Sequence, residues 1–127
     1  MAQTNLLLEF DFEGGTILQA LLERVNAPLI LEEVKVKLPI EARAALMRNE
    51  MQITLGIGKG NIKPTKEVKR GDVAYMPLGD NLCIYLDNMT TFSQVTILGR
   101  ITSDSETLEA LKSVRRGAAV VIRFPQD

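Results

Sequence analysis

The amino-acid sequence predicts a mainly β fold, a closed antiparallel barrel of about eight strands whose open ends are plugged by two short helices. Stretches in which apolar and polar residues alternate recur along the chain, and glycine, asparagine and aspartate, the residues of tight turns, separate them. Only two stretches carry the signals with which helices begin. Because 127 residues is the length of one typical domain, residues 1–127 are expected to form a single domain with one core.

A strand, its turn and a segment with conflicting signals open the chain. Leu8, Phe10 and Phe12 alternate with polar residues, and the glycines at 14 and 15 favour a hairpin turn. From residue 16 to residue 24 the apolar positions fit a helical period as well as a strand. Only the preceding turn favours a strand there, so the residues alone leave both alternatives open.

A helix is predicted between Asn26 and Pro39, which supply its two boundary signals. Asn26 can cap its first turn, where the missing amide hydrogen of Pro28 does no harm, and Pro39 should end it. Residues 40–47 follow, and their alanines favour a helix by propensity, whereas the turn predicted after them favours a strand.

The second half of the chain is predicted to consist mostly of strands. Clean alternation marks a strand over residues 51–57, and a glycine- and lysine-containing loop over residues 58–71 follows it. Ser103 with Glu106 three residues later forms a capping-box pattern before the second helix. The remaining predicted elements are strands at residues 73–76, 82–86, 95–101 and 118–124 and the helix at residues 108–114.

The absence of histidine is the most restrictive feature of the composition. It excludes the Ser-His-Asp triad, the Cys-His dyad and histidine-ligated zinc, and with them most familiar hydrolytic chemistry. Neighbouring acids such as Glu32 and Glu33 fall on a predicted helix surface, where solvation explains them. Neither a metal nor a cofactor is therefore expected.

The expected location is the cytoplasm. Cys83 is the only cysteine, which excludes an internal disulfide and favours a reducing compartment. The start of the chain lacks a basic signal-peptide region, and no apolar run approaches the roughly 20 residues of a membrane span. Neither secretion nor membrane association is expected, and Cys83, inside an apolar strand, is predicted to be a core residue rather than a nucleophile.

Glycines and a lysine at residues 56–60 invite a nucleotide-binding interpretation, because glycine lets backbone amides approach a phosphate. The spacing does not fit this interpretation. A P-loop needs four residues between its first glycine and the Gly-Lys pair, and a dinucleotide motif needs a third glycine where Asn61 stands, before a helix that Pro64 opposes. A flexible exit from the strand is the better interpretation.

Positive charge is concentrated in the middle of the sequence. Residues 35–70 carry a net charge of +6 and the remainder −7, within a total of −1. The basic segment from Lys59 to Arg70 could attract an anion or a nucleic acid. No aromatic residue lies between Phe12 and Tyr75 to stack on bases, and the sequence pI is about 5.5. A solvated loop is therefore favoured, and anion or nucleic-acid binding stays an alternative.

Large, adaptable apolar side chains lie on or beside the predicted strands of the second half. Methionine and aromatic residues suit a ligand-binding groove, and they suit the core of a barrel equally. The predicted groove consists of Met47, Met51, Tyr75, Met76, Tyr85, Met89 and Phe92.

A stretch in the second half resembles a known family. Residues 71–79 read Gly-Asp-Val-Ala-Tyr-Met-Pro-Leu-Gly, and Leu82 and Cys83 follow them. This stretch resembles the signature of the cyclophilin-like barrel, and in particular that of the small prokaryotic "atypical cyclophilins". The resemblance implies a closed eight-stranded antiparallel barrel capped by two short α-helices. It also implies that residues 16–24 and 40–47 are strands, with tertiary pairing overriding local helix propensity.

Typical cyclophilins are peptidyl-prolyl isomerases, in which an arginine donates a hydrogen bond toward the prolyl nitrogen while an apolar pocket holds the ring. The resemblance places that arginine near Ala42 and the groove histidine near Val95, and the chain has no tryptophan for the groove. The candidate catalytic residues are Arg43 and Arg48. By strand alternation Arg43 faces the other way, and either arginine would need a register shift to take the place of the catalytic donor.

The sequence therefore predicts a cyclophilin-like protein of unassigned function that lacks the usual isomerase residues. The expected activity is that of a binding module, and the expected partner is a proline-containing peptide or a small apolar ligand. A weak prolyl isomerase is one alternative, and anion or nucleic-acid binding through the basic segment is another. Both a monomer and a homodimer are compatible with the pattern.

Overall fold

The architecture is that of a computed structural model, which describes residues 5–60 and 62–126. These residues form nine strands and two α-helices, and a single 3₁₀ turn (Ala110–Ser113) continues the second helix. In chain order the elements are β1 (Asn5–Phe12), β2 (Ile17–Glu23), α1 (Pro28–Lys37), β3 (Ile40–Met47), β4 (Glu50–Thr54), β5 (Thr65–Val68), β6 (Asp72–Met76), β7 (Asn81–Tyr85), β8 (Met89–Ile101), α2 (Ser105–Glu109) and β9 (Ala118–Arg123).

Eight of these strands close into an antiparallel barrel, as the sequence predicts. Their order around the barrel is β2-β1-β9-β3-β4-β7-β6-β8, and β8 pairs with β2 to complete the ring. At this closure Ala20 lies opposite Ile101, and Leu22 lies opposite Gly99. The predicted fold class is confirmed, with α1 and α2 as its two short helices. β5 stands outside the ring and pairs only with the first half of β8.

The barrel interior is filled by the inward-facing residues of each strand. On β1 these are the predicted alternating residues: Leu8 and Phe10 are fully buried, and the rings of Phe10 and Phe12 stack with centroids 6.5 Å apart. Val34 of α1 and Leu111 of the 3₁₀ turn join the same apolar cluster. Burial of each large apolar side chain stabilises the fold by about 1.5–3 kcal/mol, so the helices add to the same core as the strands.

β3 is a strand in spite of its alanines. Ala42 and Ala44 face the core, where Ala42 lies opposite Val120 and Ala44 opposite Ala118 of β9. On its other side the strand pairs with β4. A hairpin ladder with β4 and a long-range ladder with β9 therefore outweigh the local helix propensity, as the family resemblance implies.

The predicted cap of α1 is wrong, because the side chain of Asn26 has a partner elsewhere in the fold. The helix begins at Pro28 after Ala27, and no side chain caps it. Asn26 instead donates from Nδ2 to the carbonyl oxygen of Leu98, 3.1 Å away, and so ties the start of α1 to β8. Among the described residues, α1, with 10 residues, is the longest helix, and none is long and apolar enough to cross a membrane.

The predicted cap of α2 is shifted by one residue. Asp104, rather than Ser103, precedes the helix and accepts a hydrogen bond from the amide of Thr107 at 2.8 Å. The hydroxyl of Ser103 accepts instead from the amide of Gln19, also at 2.8 Å. The serine therefore anchors the end of β8 to β2, and the aspartate beside it caps the helix.

One strand is absent from the prediction, and two others differ from it by three residues or more at one end. β4 ends at Thr54, and the amide of Ile57 binds the Asp80 carboxylate at 3.2 Å in place of a strand partner. β5 lies inside the predicted loop at residues 58–71, and β8 begins at Met89, earlier than predicted. β5 and the first half of β8 are mostly polar, and each is a strand because it pairs with the other.

Replacement of Gly99 by alanine tests the closure of the barrel. A Cβ atom at this position would lie 2.0 Å from the carbonyl oxygen of Leu21 and 2.7 Å from the Cα atom of Leu22, so β2 and β8 would have to separate. We expect Gly99→Ala to lower the free energy of unfolding by about 3 kcal/mol or more, the upper end of the cost of overpacking. Urea unfolding measures the change.

Gly60→Ala is the matched control, because nothing lies within 4 Å of the Cβ atom that it adds. It should change the free energy of unfolding by less than about 1 kcal/mol. Equal unfolding midpoints for the two variants would contradict the tight contact at the closure.

Candidate binding site on the outer face of the barrel

The outward-facing side chains of four neighbouring strands, β3, β4, β7 and β6, form a continuous surface, here called the outer face. Side chains alternate along each strand, so the residues between them fill the core. Strand register arranges the outer face in two rows. The first row contains Ala45, Gln52, Cys83 and Ala74, and the second contains Met47, Glu50 and Tyr85.

Four polar side chains meet on the outer face: Glu50, Gln52, Cys83 and Tyr85, here called the outer-face cluster. Glu50 is only 6% exposed, and its Oε2 accepts hydrogen bonds from Nε2 of Gln52 at 2.6 Å and from the Cys83 thiol at 3.6 Å. The hydroxyl of Tyr85 is buried and has no hydrogen-bond partner among the described residues. Four polar side chains are therefore concentrated on the side of the barrel wall that faces away from the core.

Burial keeps the thiol and the phenol of this cluster protonated. Loss of solvation raises the pKa of the Cys83 thiol, and the nearby Glu50 carboxylate raises it further. Burial also raises the pKa of Tyr85, with smaller contributions from Cys83 and Glu50, which lie near its hydroxyl without forming a well-oriented hydrogen bond. Neither group is an anionic nucleophile near neutral pH, so the cluster is suited to hydrogen bonding and not to covalent chemistry.

Half of the outer face is covered by a separate two-stranded ladder. β5 pairs with the first half of β8, and this pair, residues 65–68 and 89–95, is here called the outer ladder. It packs on the barrel wall through a second apolar cluster that is separate from the barrel core. That cluster contains Val68, Met89 and Val95 of the ladder and Ala74, Met76, Cys83, Tyr85 and Ile97 beneath and beside it.

The other half of the outer face, on β3 and β4, is open. Ala45 and Gln52 are half-buried, and Met47 is 47% exposed. Beside them, Arg43 and Ala119 line a shallow depression of about 340 Å³ between β3 and β9. The open half therefore presents small and flexible side chains next to the buried Glu50 carboxylate, an arrangement that suits a flat or extended ligand.

The seven predicted groove residues are divided among three environments. Met51 and Tyr75 face the barrel interior, and Met76, Tyr85 and Met89 lie in the second apolar cluster. Met47 and Phe92 are exposed. The seven residues therefore do not form one surface.

The two candidate catalytic arginines occupy different parts of the surface. Arg43 points outward from β3, and its Nη1 donates to the carbonyl oxygen of Gly117 at 3.1 Å. Arg48 is exposed in the turn between β3 and β4, with a φ of 60°. Ala42, near which the resemblance places the arginine, packs against the barrel core. Val95, near which it places the histidine, belongs to the outer ladder and is buried in the second apolar cluster.

The glycine-rich loop at residues 56–60 is bound to the carboxylate of Asp80. Oδ1 of Asp80 accepts hydrogen bonds from the amides of Ile57 and Gly58, each at 3.2 Å, and from the hydroxyl of Tyr75 at 2.5 Å. Two of the amides that could have received a phosphate are therefore occupied from within the fold. Sequence reasoning missed this partner, whose one signal is an acidic residue in the turn between β6 and β7.

The hydrogen bonds around the Asp80 carboxylate set the protonation states of Asp80 and Tyr75. Burial alone would raise the pKa of Asp80, but hydrogen bonds from Tyr75 and from the loop amides outweigh it and hold the pKa below its usual value. Burial and the hydrogen bond to Asp80 raise the pKa of Tyr75 to about 12. An ionised carboxylate and a neutral phenol therefore form the stable pair at neutral pH.

The basic segment is partly engaged in internal contacts. Nη1 of Arg70 donates to the carbonyl oxygen of Leu86 at 2.6 Å and lies 2.8 Å from Oε2 of Glu109. Nζ of Lys59 lies 3.7 Å from Oε2 of Glu33. Within the described ranges, no three His, Cys, Asp or Glu side chains come together as metal ligands.

A second concavity, which no sequence pattern marks, lies between α1, the start of β1 and the end of β9. It measures about 380 Å³, and Leu6, Leu31 and Phe124 line it. Arg24 and Glu32 form an ion pair of 2.9 Å at the same cleft. Its residues come from distant parts of the sequence, which is why periodicity gives no sign of it.

Comparison with known proteins finds relatives of the same fold. A family model described as Cyclophilin-like matches residues 7–123. The solution structure of the hypothetical protein AF2241 from Archaeoglobus fulgidus is 24% identical, with a TM-score of 0.78 over 98% of each chain. McbB, in a structure described as a complex with tryptophan, is 14% identical with a TM-score of 0.77, and the match covers 94% of this chain and 45% of McbB. Among curated protein sequences, none matches this chain.

Asp80→Asn tests the contact with the glycine-rich loop. The amide oxygen is a weaker acceptor than the carboxylate, so we expect the free energy of unfolding at pH 7 to fall by about 1–2 kcal/mol. The difference from the parent protein should shrink below about pH 4, because a carboxylate whose folded pKa is lowered loses its stabilising contribution as it becomes protonated. Urea unfolding at pH 7 and pH 3 measures both effects.

Glu41→Gln is the control for this experiment, since Glu41 is an exposed carboxylate on β3. It should leave stability nearly unchanged at both pH values. A loss in Asp80→Asn that is equally large at pH 7 and pH 3 would show that the charge of Asp80 does not hold the loop.

Proposed function

The chain belongs to the cyclophilin-like family, and on that premise we propose that it is a binding protein that takes an extended peptide segment or a small apolar ligand on the outer face of its barrel. The usual isomerase arrangement is not supported. Ala42 and Val95 stand near the places of the expected arginine and histidine, and both pack into apolar clusters. The observation that carries the proposal is the open half of the outer face, where the half-buried Gln52 amide lies beside the buried Glu50 carboxylate.

The open half offers both hydrogen bonds and adaptable packing. Gln52 uses Nε2 to bind Glu50, while its Oε1 has no hydrogen bond to the described residues and can accept one from a ligand amide. Met47 is exposed and flexible, so it can close over an apolar group of varied shape. Ala45 between them is small enough to leave the floor flat.

Tryptophan is the first small molecule to test. McbB, which shares the fold, is described in complex with it. Tryptophan combines a flat apolar ring with hydrogen-bonding groups, which are the two features that the open half is suited to receive.

A weak prolyl isomerase is the second candidate function, and the position of Arg43 favours it. Arg43 lies on the outer face, where a peptide bound to the open half would pass. Its Nη1 binds Gly117, but its Nη2 makes no hydrogen bond to the described residues, so this nitrogen has a donor to offer. Donation to a prolyl nitrogen would lower the isomerisation barrier, which is about 18–20 kcal/mol for an uncatalysed peptide bond.

Ala45→Arg tests the binding proposal, because the long side chain of the introduced arginine would extend over the open half of the outer face. In ¹⁵N NMR titrations with a proline-containing tetrapeptide and with tryptophan, we expect shifts centred on Ala45, Met47 and Gln52. At least one of the two ligands should bind about tenfold more weakly to Ala45→Arg, a loss typical of an obstructed contact. Val25→Arg is the control, since Val25 is 73% exposed in a distant turn.

Two outcomes of this titration would count against the proposal. Shifts centred on the cleft beside α1 would move the site away from the outer face. The absence of shifts with both ligands at millimolar concentration would remove the binding function itself.

Exchange NMR of a short X-Pro peptide separates binding from catalysis. We expect the protein to leave the cis–trans exchange rate unchanged, because the arrangement of the usual donor is missing. Acceleration that is lost in Arg43→Ala and kept in Arg48→Ala would instead establish an isomerase with Arg43 as its donor. The same peptide reports contact through its chemical shifts, so one sample answers both questions.

A further inference from the structure

The Tyr85 hydroxyl is a buried hydrogen-bonding group without a partner. Tyr85 is 0% exposed, and no hydrogen bond from the described residues satisfies its hydroxyl. Buried hydroxyls in folded proteins nearly always have a partner, so an orphaned one needs an explanation. In the same cluster, Oε2 of Glu50 already accepts hydrogen bonds from Gln52 and Cys83, which leaves Oε1 of that carboxylate to accept another.

The outer ladder that covers Tyr85 is held by few contacts. β5 has four residues, of which Val68 alone is buried, and it pairs with β8 and with no other strand of the described sheet. The register slips between the pairs that involve Val95 and Thr90. Between those pairs, Phe92 is 90% exposed. Short elements with few buried apolar contacts are the parts of a protein that open most readily.

β5 itself indicates what kind of molecule fits beneath the opened ladder. It is an extended segment with one apolar side chain, Val68, which joins the cluster of Met76 and Tyr85. Next to that cluster, the Tyr85 hydroxyl can donate a hydrogen bond, and the Glu50 carboxylate can accept one. A donor beside an acceptor complements the carbonyl oxygen and the amide hydrogen of an extended peptide.

We propose that β5 occupies a peptide-binding site from within, and that an extended peptide carrying an apolar side chain binds there by displacing β5. The carbonyl oxygen of this peptide accepts the hydrogen bond that the Tyr85 hydroxyl lacks in the free protein. This inference rests on the proposed function, to which it adds the covered half of the outer face, a specificity residue and an internal competitor.

Cys83 reports whether the outer ladder opens. It is the only cysteine of the chain and is fully buried in the second apolar cluster, so a thiol reagent such as DTNB reaches it when the ladder or the whole barrel opens. Val68→Ala removes apolar contacts of β5, and we expect it to raise the labelling rate about tenfold. Val36→Ala is the control, because Val36 is 71% exposed on α1. Labelling that matches the rate of global unfolding in every variant would overturn the proposal.

A synthetic peptide with the sequence of residues 63–69, Lys-Pro-Thr-Lys-Glu-Val-Lys, tests the displacement directly. Unlike β5, this peptide is not held by the chain at both ends, so it can shift along the site and bring a carbonyl oxygen to the Tyr85 hydroxyl. When it binds, the backbone amides of β5 should exchange with deuterium about tenfold faster, while those of β7 should stay protected. A peptide with serine in place of its valine is the control and should bind more weakly.

Tyr85→Phe tests the hydrogen bond to the peptide. The variant loses only an unpartnered hydroxyl, so we expect its urea midpoint to be unchanged or higher, while the peptide binds about tenfold more weakly. A purely structural role for Tyr85 would move stability and leave affinity alone. Equal affinity for both proteins, or binding without faster exchange in β5, would overturn the displacement.

The test of the proposed function can be distinguished from the test of the displacement of β5. If the proline-containing tetrapeptide or tryptophan shifts the amides of Ala45, Met47 and Gln52 while the peptide of residues 63–69 does not bind, the displacement is wrong and the proposed function holds. If none of the three probes binds, both are wrong.

Discussion

The barrel depends on a contact between β2 and β8 in which one partner can carry no side chain. Gly99 brings β8 directly against the backbone at Leu21 and Leu22, and the resulting ring leaves each barrel strand with a neighbour on both sides. β8 is 13 residues long because it continues beyond this ring and pairs with β5. One strand therefore connects the closure of the core to the covering of the outer face.

The barrel wall separates two environments across the thickness of one strand. On β7, Leu82 and Ile84 belong to the core, whereas Cys83 and Tyr85 belong to the cluster outside it. The period of two along a strand makes this separation strict, so a substitution on the outer face need not change a side chain of the core. A fold with this property supports many functions, and the function must be argued from the outer face.

Periodicity predicts a strand when one face is apolar and buried and the other is solvated, as in β1. It does not predict β5, which is mostly polar, and it leaves residues 40–47 ambiguous, because both are strands by virtue of distant partners. The outer-face cluster was equally hidden, since Glu50 and Cys83 are 33 positions apart and meet through strand register. Methionine and aromatic content predicts apolar surfaces, but it cannot divide these residues between the core and the exterior.

The loop at residues 56–60 depends on one side chain, that of Asp80. Two backbone amides and a phenol converge on one oxygen of that side chain, and the φ of 58° at Asp80 is a conformation that glycine adopts freely. Glycine at this position would therefore keep the shape of the turn and remove the acceptor of all three donors. The turn between β6 and β7 and the attachment of the loop thus place separate demands on residue 80, one on its backbone and one on its side chain.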